Sequence, residues 1–373
     1  VRRVLALANA LLWAAIVLGI AKSHVPKDAL GWDLSVFRDA SGLLLRGQPL
    51  YDFAAQASAH AAAFGRTFAV HYPYAYPPIF AIETVPLALV SQVVAFSIVT
   101  VASLGALAWA ARRATGSATN ALWVTASYPA VYGILAGQFA IVALAIFVAT
   151  LALLESDRAI AAGVVCSLLA FKPQLVVVMP ILFAIVPRAR RALVGLVIGV
   201  AAQAIACFVL AKDATLAFPS ALARMSSYVE THFRASLGFT WRAFFALLLP
   251  DHRGAANALG ALAIAACAIV VARAMWRSRG DLPRAFAIAI LATFLCAWHC
   301  APYDWVVLAL PAWILIPRAD PSPLETRALV FVFLLSWTFV AIADATRVHL
   351  ALPCLGAVSA WLVRRARAQL LGS

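Results

Sequence analysis

Six short stretches of this chain hold side chains that can move a proton or bind an anion. Asp33 stands just ahead of an apolar helical stripe, and Tyr76 precedes Pro77-Pro78. Gln138 follows Gly137, and Lys172 lies in Phe171-Lys172-Pro173-Gln174. His299, Tyr303 and Asp304 share CAWHCAPYDWVV, while Arg234 and Arg242 share HFRASLGFTWRAFF. A carboxylate whose pKa is raised by burial can act as a general base. Lysine and arginine can neutralise an anionic leaving group, and a His/Tyr/Asp cluster can hold a hydroxyl or a phosphate.

Each stretch also has a plainer reading. Asp33 falls at an N-cap position, where its carboxylate would accept backbone N–H bonds. Lys172 at the edge of an apolar run either snorkels to the interface or meets an anionic partner. Pro173 beside it frees backbone groups that protein or ligand must satisfy. Gly137-Gln138 reads as a tight turn, the tyrosines as an interfacial belt, and Arg234 and Arg242 as solvated loop residues.

These residues must be positioned by apolar elements, because 65% of the 373 residues are hydrophobic and only 12% are charged. A soluble globule of this length cannot hide so much apolar surface, and the mean hydropathy of +0.94 agrees. Twelve apolar runs end in charge, Pro or Gly: 4–21, 91–111, 117–136, 138–154, 159–171, 175–187, 192–210, 254–272, 285–298, 305–316, 328–343 and 348–363. The expected fold is an all-α polytopic membrane protein, one domain over residues 1–373, with about twelve transmembrane helices. The first run, about 18 residues long, is longer than a signal h-region and reads as an anchor. Runs 159–171, 175–187 and 305–316 are short for a straight crossing, as helices beside a cavity can be.

The net charge of +14 is not a nucleic-acid footprint, since arginines cluster between apolar runs instead of forming a basic stripe. With both termini cytoplasmic, the inner segments hold 17 arginines against 5 acidic residues, and the outer segments are nearly neutral. All seven histidines (24, 60, 71, 232, 252, 299, 349) and the long loops 22–90 and 211–253 then fall on the outer side, which becomes the expected catalytic face. The six cysteines form no CxxC pair and read as buried hydrophobes.

In the first outer loop, Leu34, Phe37, Ala40, Ser41, Leu44 and Leu45 form a helical stripe that Gly47 and Pro49 end, as in an amphipathic helix lying on the outer leaflet. Residues 79–90, entered through the rigid Pro77-Pro78, are too short to cross and predict a juxtamembrane or re-entrant helix. No Walker A loop, strand-borne GxGxxG, HExxH or GxSxG is present. An outward-facing enzyme without a cytosolic domain must draw an activated substrate from the membrane, and a lipid-linked sugar fits. The rival class is a multi-pass transporter or lipid flippase. Against it stand the absence of an internal repeat and of an ionisable residue in the middle of a long span.

Asp33 with its following helix, Gly47-Gln48-Pro49-Leu50-Tyr51-Asp52, Tyr76-Pro77-Pro78, Gly137-Gln138, Lys172-Pro173-Gln174 and Ala301-Pro302-Tyr303-Asp304-Trp305, in that order, resemble glycosyltransferase family 87. This is the GT-C group of polyprenol-phosphate-mannose-dependent alpha-mannosyltransferases. The resemblance covers nearly the whole chain. It implies a GT-C-type bundle with outer juxtamembrane helices and inverting transfer of a sugar, mannose by analogy, from a polyprenyl-phosphate donor to a lipid or glycan acceptor. It further implies a bacterial inner-membrane location, no cofactor and no metal, Asp33 as catalytic base and Lys172 as a site-lining cation. Gln174, Gln138, Tyr76, His299, Tyr303, Asp304, Arg234 and Arg242 are the expected donor- or acceptor-binding residues. Two positions depart from the family pattern: Ala140 stands where Asn is common, and Ala301 where a Ser-Pro motif usually begins.

Overall fold

The computed structural model of the chain describes residues 2–22, 30–65, 72–232 and 234–368. All regular structure among the described residues is helical, with no strand. Every expected apolar run coincides with one or more helices, but the runs are unequal. Among the described residues, five helices are long and apolar enough to cross a membrane: Arg3–Lys22, Gln92–Thr115, Pro187–Leu210, Arg253–Arg277 and Pro323–Thr346. A sixth crossing results if Tyr128–Ala136 and Ala140–Glu155, bent by 116° at Gly137-Gln138-Phe139, count as one. Ala159–Phe171, Pro173–Ile185 and Leu282–Leu295 are shorter apolar helices.

The chain sets these helix ends with local chemistry. Ser91 accepts the Val94 N–H at 3.3 Å to start Gln92–Thr115, and Gly116 ends it at φ 77°. Ser322 and Glu325 form a reciprocal capping box ahead of Pro323–Leu335. Asp281 caps Leu282–Leu295, whose residues are almost all buried. A helix apolar all round belongs inside the bundle, which is why this short segment sits at its centre.

The tightest crossing lies between Ala159–Ser167 and Arg191–Leu210. A Cβ added at Gly163 would stand 2.0 Å from the Ala192 carbonyl oxygen, and one at Gly195 1.9 Å from that of Ile160. Only glycine lets the two backbones meet in this way. The chain then runs from Ser167 through a 3-10 turn, Leu168–Phe171, to Lys172.

The Trp32–Leu45 helix differs from expectation. Leu34, Phe37, Ala40 and Ser41 of the stripe are buried, but so are Ser35, Val36, Asp39 and Leu43. The helix is packed inside the protein because Phe53–Phe64, started by Asp52 accepting the Ala55 N–H at 2.8 Å, and Pro78–Glu83 lie against it. Arg38 fastens it to the next turn, donating to the carbonyls of Leu87 at 2.8 Å and Val90 and to Gln92 Oε1 at 2.9 Å. Gln92 in turn donates to the Gly31 carbonyl at 2.9 Å. Residues 79–90 form only two short helices, Pro78–Glu83 and Val85–Ala88, as their length requires.

Candidate functional site

Asp33 does not cap its helix. The N-cap is Gly31, in the left-handed region at φ 72°, and Asp33 follows within the first turn. Positive φ at Gly31 starts the helix earlier than the sequence pattern implies, and no side chain caps it. Asp33 Oδ2 instead accepts a 2.6 Å hydrogen bond from Gln138 Nε2.

Gln138 sits at the 116° bend, 4% exposed, and its amide nitrogen also lies 3.4 Å from the Tyr76 hydroxyl. Its Oε1 accepts from Lys172 Nζ at 3.2 Å. Lys172 donates to Asp304 Oδ1 at 2.7 Å, and both side chains are only 2% exposed. Asp304 holds its own turn as well, with Oδ2 accepting the Ala301 N–H at 3.4 Å.

Aromatic rings wall the chain Asp33, Gln138, Lys172, Asp304. The Lys172 ammonium lies 4.6 Å from the Tyr303 ring centroid and 5.8 Å from that of Tyr76. Tyr303 stacks on Tyr132, and Tyr132 on Tyr128. Tyr76 is held through its carbonyl, which accepts from the Tyr51 hydroxyl at 2.7 Å, and by its ring against Phe37. Burial pushes the Asp33 carboxyl up to about 6, while the Gln138 hydrogen bond and the Lys172 charge pull the other way. A carboxylate so raised can exchange a proton near neutrality.

The structure thus joins six of the ten expected residues: Asp33, Tyr76, Gln138, Lys172, Tyr303 and Asp304. Three others, Arg234, Arg242 and His299, line a neighbouring cavity of about 110 Å³ together with Arg253 and Asn257, and the His299 ring feels the charges of Asp304 and Lys172. Arg234 pairs with Asp344 at 3.0 Å, and Arg242 lies over the Trp298 ring. Gln174 is half-buried and belongs to neither group. Lys172, the site-lining cation of the resemblance, has Asp304 as its anionic partner inside the protein.

A profile of glycosyltransferase family 87 matches residues 74–302, more than half of the chain. The chain belongs to glycosyltransferase family 87. No curated protein and no solved structure matches it. Family 87 membership and the apolar helices make it a membrane glycosyltransferase. The matched stretch contains Tyr76, Gln138, Lys172, His299 and the arginine cavity, whereas Asp33 lies ahead of it.

Several residues of this family 87 chain escape sequence reading. Arg253 opens a long helix and reads as a boundary charge. Tyr132 shares a helix face with Tyr128, a four-residue spacing that could have flagged it. Asp39 and His60 form a largely buried pair at 2.6 Å, joining two helices whose packing no local pattern specifies. Of the histidines, His349 is structural: its Nε2 faces the Ser236 carbonyl, its Nδ1 accepts the Ala351 N–H, and burial lowers it to about 4. His24, His71 and the His232 side chain lie outside the described residues.

Proposed function

We propose that this protein transfers a hexose, mannose in the first instance, from a polyprenyl-phosphate donor to a hydroxyl of a lipid or glycan acceptor, with inversion at the anomeric carbon. The observation that carries the proposal is the Asp33 carboxylate, held at 2.6 Å by Gln138 and raised by burial to about 6. In the proposed step the acceptor O–H gives its proton to Asp33 as its oxygen bonds to the anomeric carbon. The bond from that carbon to the phosphate oxygen breaks, and its electron pair stays on the phosphate. Phosphate departs readily when cations face it, and Arg234, Arg242 and Arg253 around their cavity supply that charge, while His299, kept neutral by burial, can donate a hydrogen bond. The arginine-rich segments between apolar runs support cytoplasmic termini and a catalytic face on the periplasmic side of a bacterial inner membrane.

The test uses the purified full chain in detergent, polyprenyl-phosphate carrying radiolabelled mannose, and a membrane lipid extract as acceptor pool. Label should appear in a new glycolipid with wild-type protein and not with Asp33→Asn. Equal transfer by both proteins would overturn the role of Asp33. Movement of the intact donor across vesicles without any transfer would favour the transporter or flippase reading.

A further inference from the structure

Gln138 stands between an acceptor and a donor that cannot exchange roles. A lysine ammonium has three N–H donors and no acceptor, while an ionised carboxylate only accepts. The amide between them satisfies both in one orientation alone, with Oε1 toward Lys172 at 3.2 Å and Nε2 toward Asp33 at 2.6 Å. The reverse orientation sets a carbonyl against a carboxylate and an NH2 group against an ammonium. Gln138 is 4% exposed, so little water can relieve that conflict.

Lys172 is itself fixed. Asp304 binds it at 2.7 Å, and the Tyr303 ring lies 4.6 Å below its Nζ. With Asp304 beside it, the pair adds no net charge to the site. What the pair imposes on Asp33 is a direction for the amide.

We infer that Lys172, anchored by Asp304, is a positioning residue that locks the Gln138 amide with its nitrogen on Asp33 Oδ2, leaving Oδ1 as the oxygen that takes the acceptor proton. The inference rests on the reading of Asp33 as the base. The lock holds in both protonation states of Asp33, because Lys172 demands the amide oxygen whether or not Asp33 carries a proton. An unlocked amide could turn its carbonyl to Asp33 and favour the protonated, inactive form.

Two double substitutions separate orientation from charge. Lys172→Met with Asp304→Asn removes the lock and both charges together, which avoids a buried unpaired ion. Lys172→Gln with Asp304→Asn removes the same charges but keeps a donor for Gln138 Oε1. The other titratable groups facing Asp33 are Tyr76, Tyr132 and Tyr303, all unchanged, and Arg38 on its own helix is bound at 87–92.

The first readout is an infrared titration of the carboxyl band that Asp33→Asn abolishes, which needs no activity. A hydrogen bond to a charged group is worth about 1.5–3 kcal/mol, or about one to two pH units. The Asp33 midpoint should therefore rise by about one unit in the Met variant and in Gln138→Met, and by less in the Gln variant, whose amide can donate to Gln138 Oε1 but can also turn to accept. Equal shifts in the Met and Gln variants, or no shift in Gln138→Met, would overturn the lock. If the Met double variant does not fold, Gln138→Met can still overturn the lock by leaving the Asp33 midpoint unmoved.

The second readout is kinetic. The Met double variant should lose about tenfold to a hundredfold in kcat at unchanged donor KM, with its acid limb moved to higher pH. Combined with Gln138→Met it should lose little more, since both act through one amide. A higher donor KM in both double variants would make Lys172 a phosphate-binding residue and defeat the inference. If Asp33→Asn proves fully active, the catalytic reading fails by itself while the infrared result still judges the lock.

Discussion

Gly31 and Gly137 lie so close that a Cβ on Gly137 would stand 3.2 Å from the Gly31 Cα and 2.7 Å from the Leu34 Cβ. Both have φ 72°, and the Gly31 N–H donates to the Leu135 carbonyl at 2.8 Å. This contact presses the start of Trp32–Leu45 against the end of Tyr128–Ala136. Asp33 lies two residues beyond the first glycine and Gln138 one beyond the second, so the glycine pair sets the 2.6 Å bond between them. Gly137→Ala should cost about 1–2 kcal/mol for the left-handed backbone. The forced separation should lower kcat/KM by roughly a hundredfold, the typical effect of a misplacement of about 1 Å. Thermal unfolding in detergent and steady-state kinetics check the two effects separately.

Asp33→Asn should remove activity and raise stability at the same time. The folded-state pKa of about 6 lies above the ordinary aspartate value of 3.8. A raised pKa gives stability that is complete below the unfolded value and is lost as pH rises through the folded one. At pH 7 the wild type thus carries an ionised carboxylate that its surroundings disfavour. The shift would correspond to about 3 kcal/mol, and partial exposure of Asp33 reduces this to about 1–2 kcal/mol. The asparagine variant avoids that cost but cannot take a proton, so the rate should fall roughly 10²–10⁴-fold. In the wild type, kcat/KM should decline below about pH 6. An Asp33→Asn variant less stable than wild type at pH 7 would contradict this account.

The sequence made the chemistry easier to read than the packing. Asp33, Tyr76, Gln138, Lys172, Tyr303 and Asp304 each interrupt an apolar context with a polar group, a cost that marks functional positions in membrane chains. The cap at Gly31 was hidden because a positive φ leaves no trace in residue type when aspartate, a good cap, stands two positions later. The burial of Trp32–Leu45 was hidden because Phe53–Phe64, largely alanine, covers it without announcing a partner face. Asp39 lies six residues past Asp33 on the same helix. Paired with His60 at 2.6 Å and 9% exposed, it is structural, and Asp39→Asn should reduce stability more than catalysis.

Glycines in long helices should divide sharply by their neighbours. At Gly195 a methyl group would stand 1.9 Å from a backbone oxygen of the facing helix, and neither backbone can yield locally. Gly195→Ala should destabilise by at least about 1–3 kcal/mol through overpacking. It should also impair catalysis, since the facing helix leads to Lys172. At Gly105, inside Gln92–Thr115, nothing lies within 4 Å. Gly105→Ala should gain up to about 1 kcal/mol of helix propensity and leave activity unchanged. Thermal scans of the two alanine variants side by side check this; similar behaviour would mean that the crossing is looser than described.

Arg253 offers the cleanest test of the arginine cavity. It is the first residue of Arg253–Arg277, exposed, and lines the cavity with Arg234, Arg242 and His299. A cation in the first turn opposes the helix dipole, an unfavourable placement worth about 0.3–1 kcal/mol at an exposed site. Its position there is better explained by an anion to be bound than by stability. Arg234 pairs with Asp344 and Arg242 lies over Trp298, so both have structural duties that would blur their substitution. Arg253→Gln should leave stability unchanged or slightly higher and raise the donor KM about tenfold, the size expected from losing a charge-assisted hydrogen bond to phosphate. The effect should shrink as salt is raised, because an exposed arginine is screened. A donor KM equal to wild type at low salt would place the phosphate elsewhere.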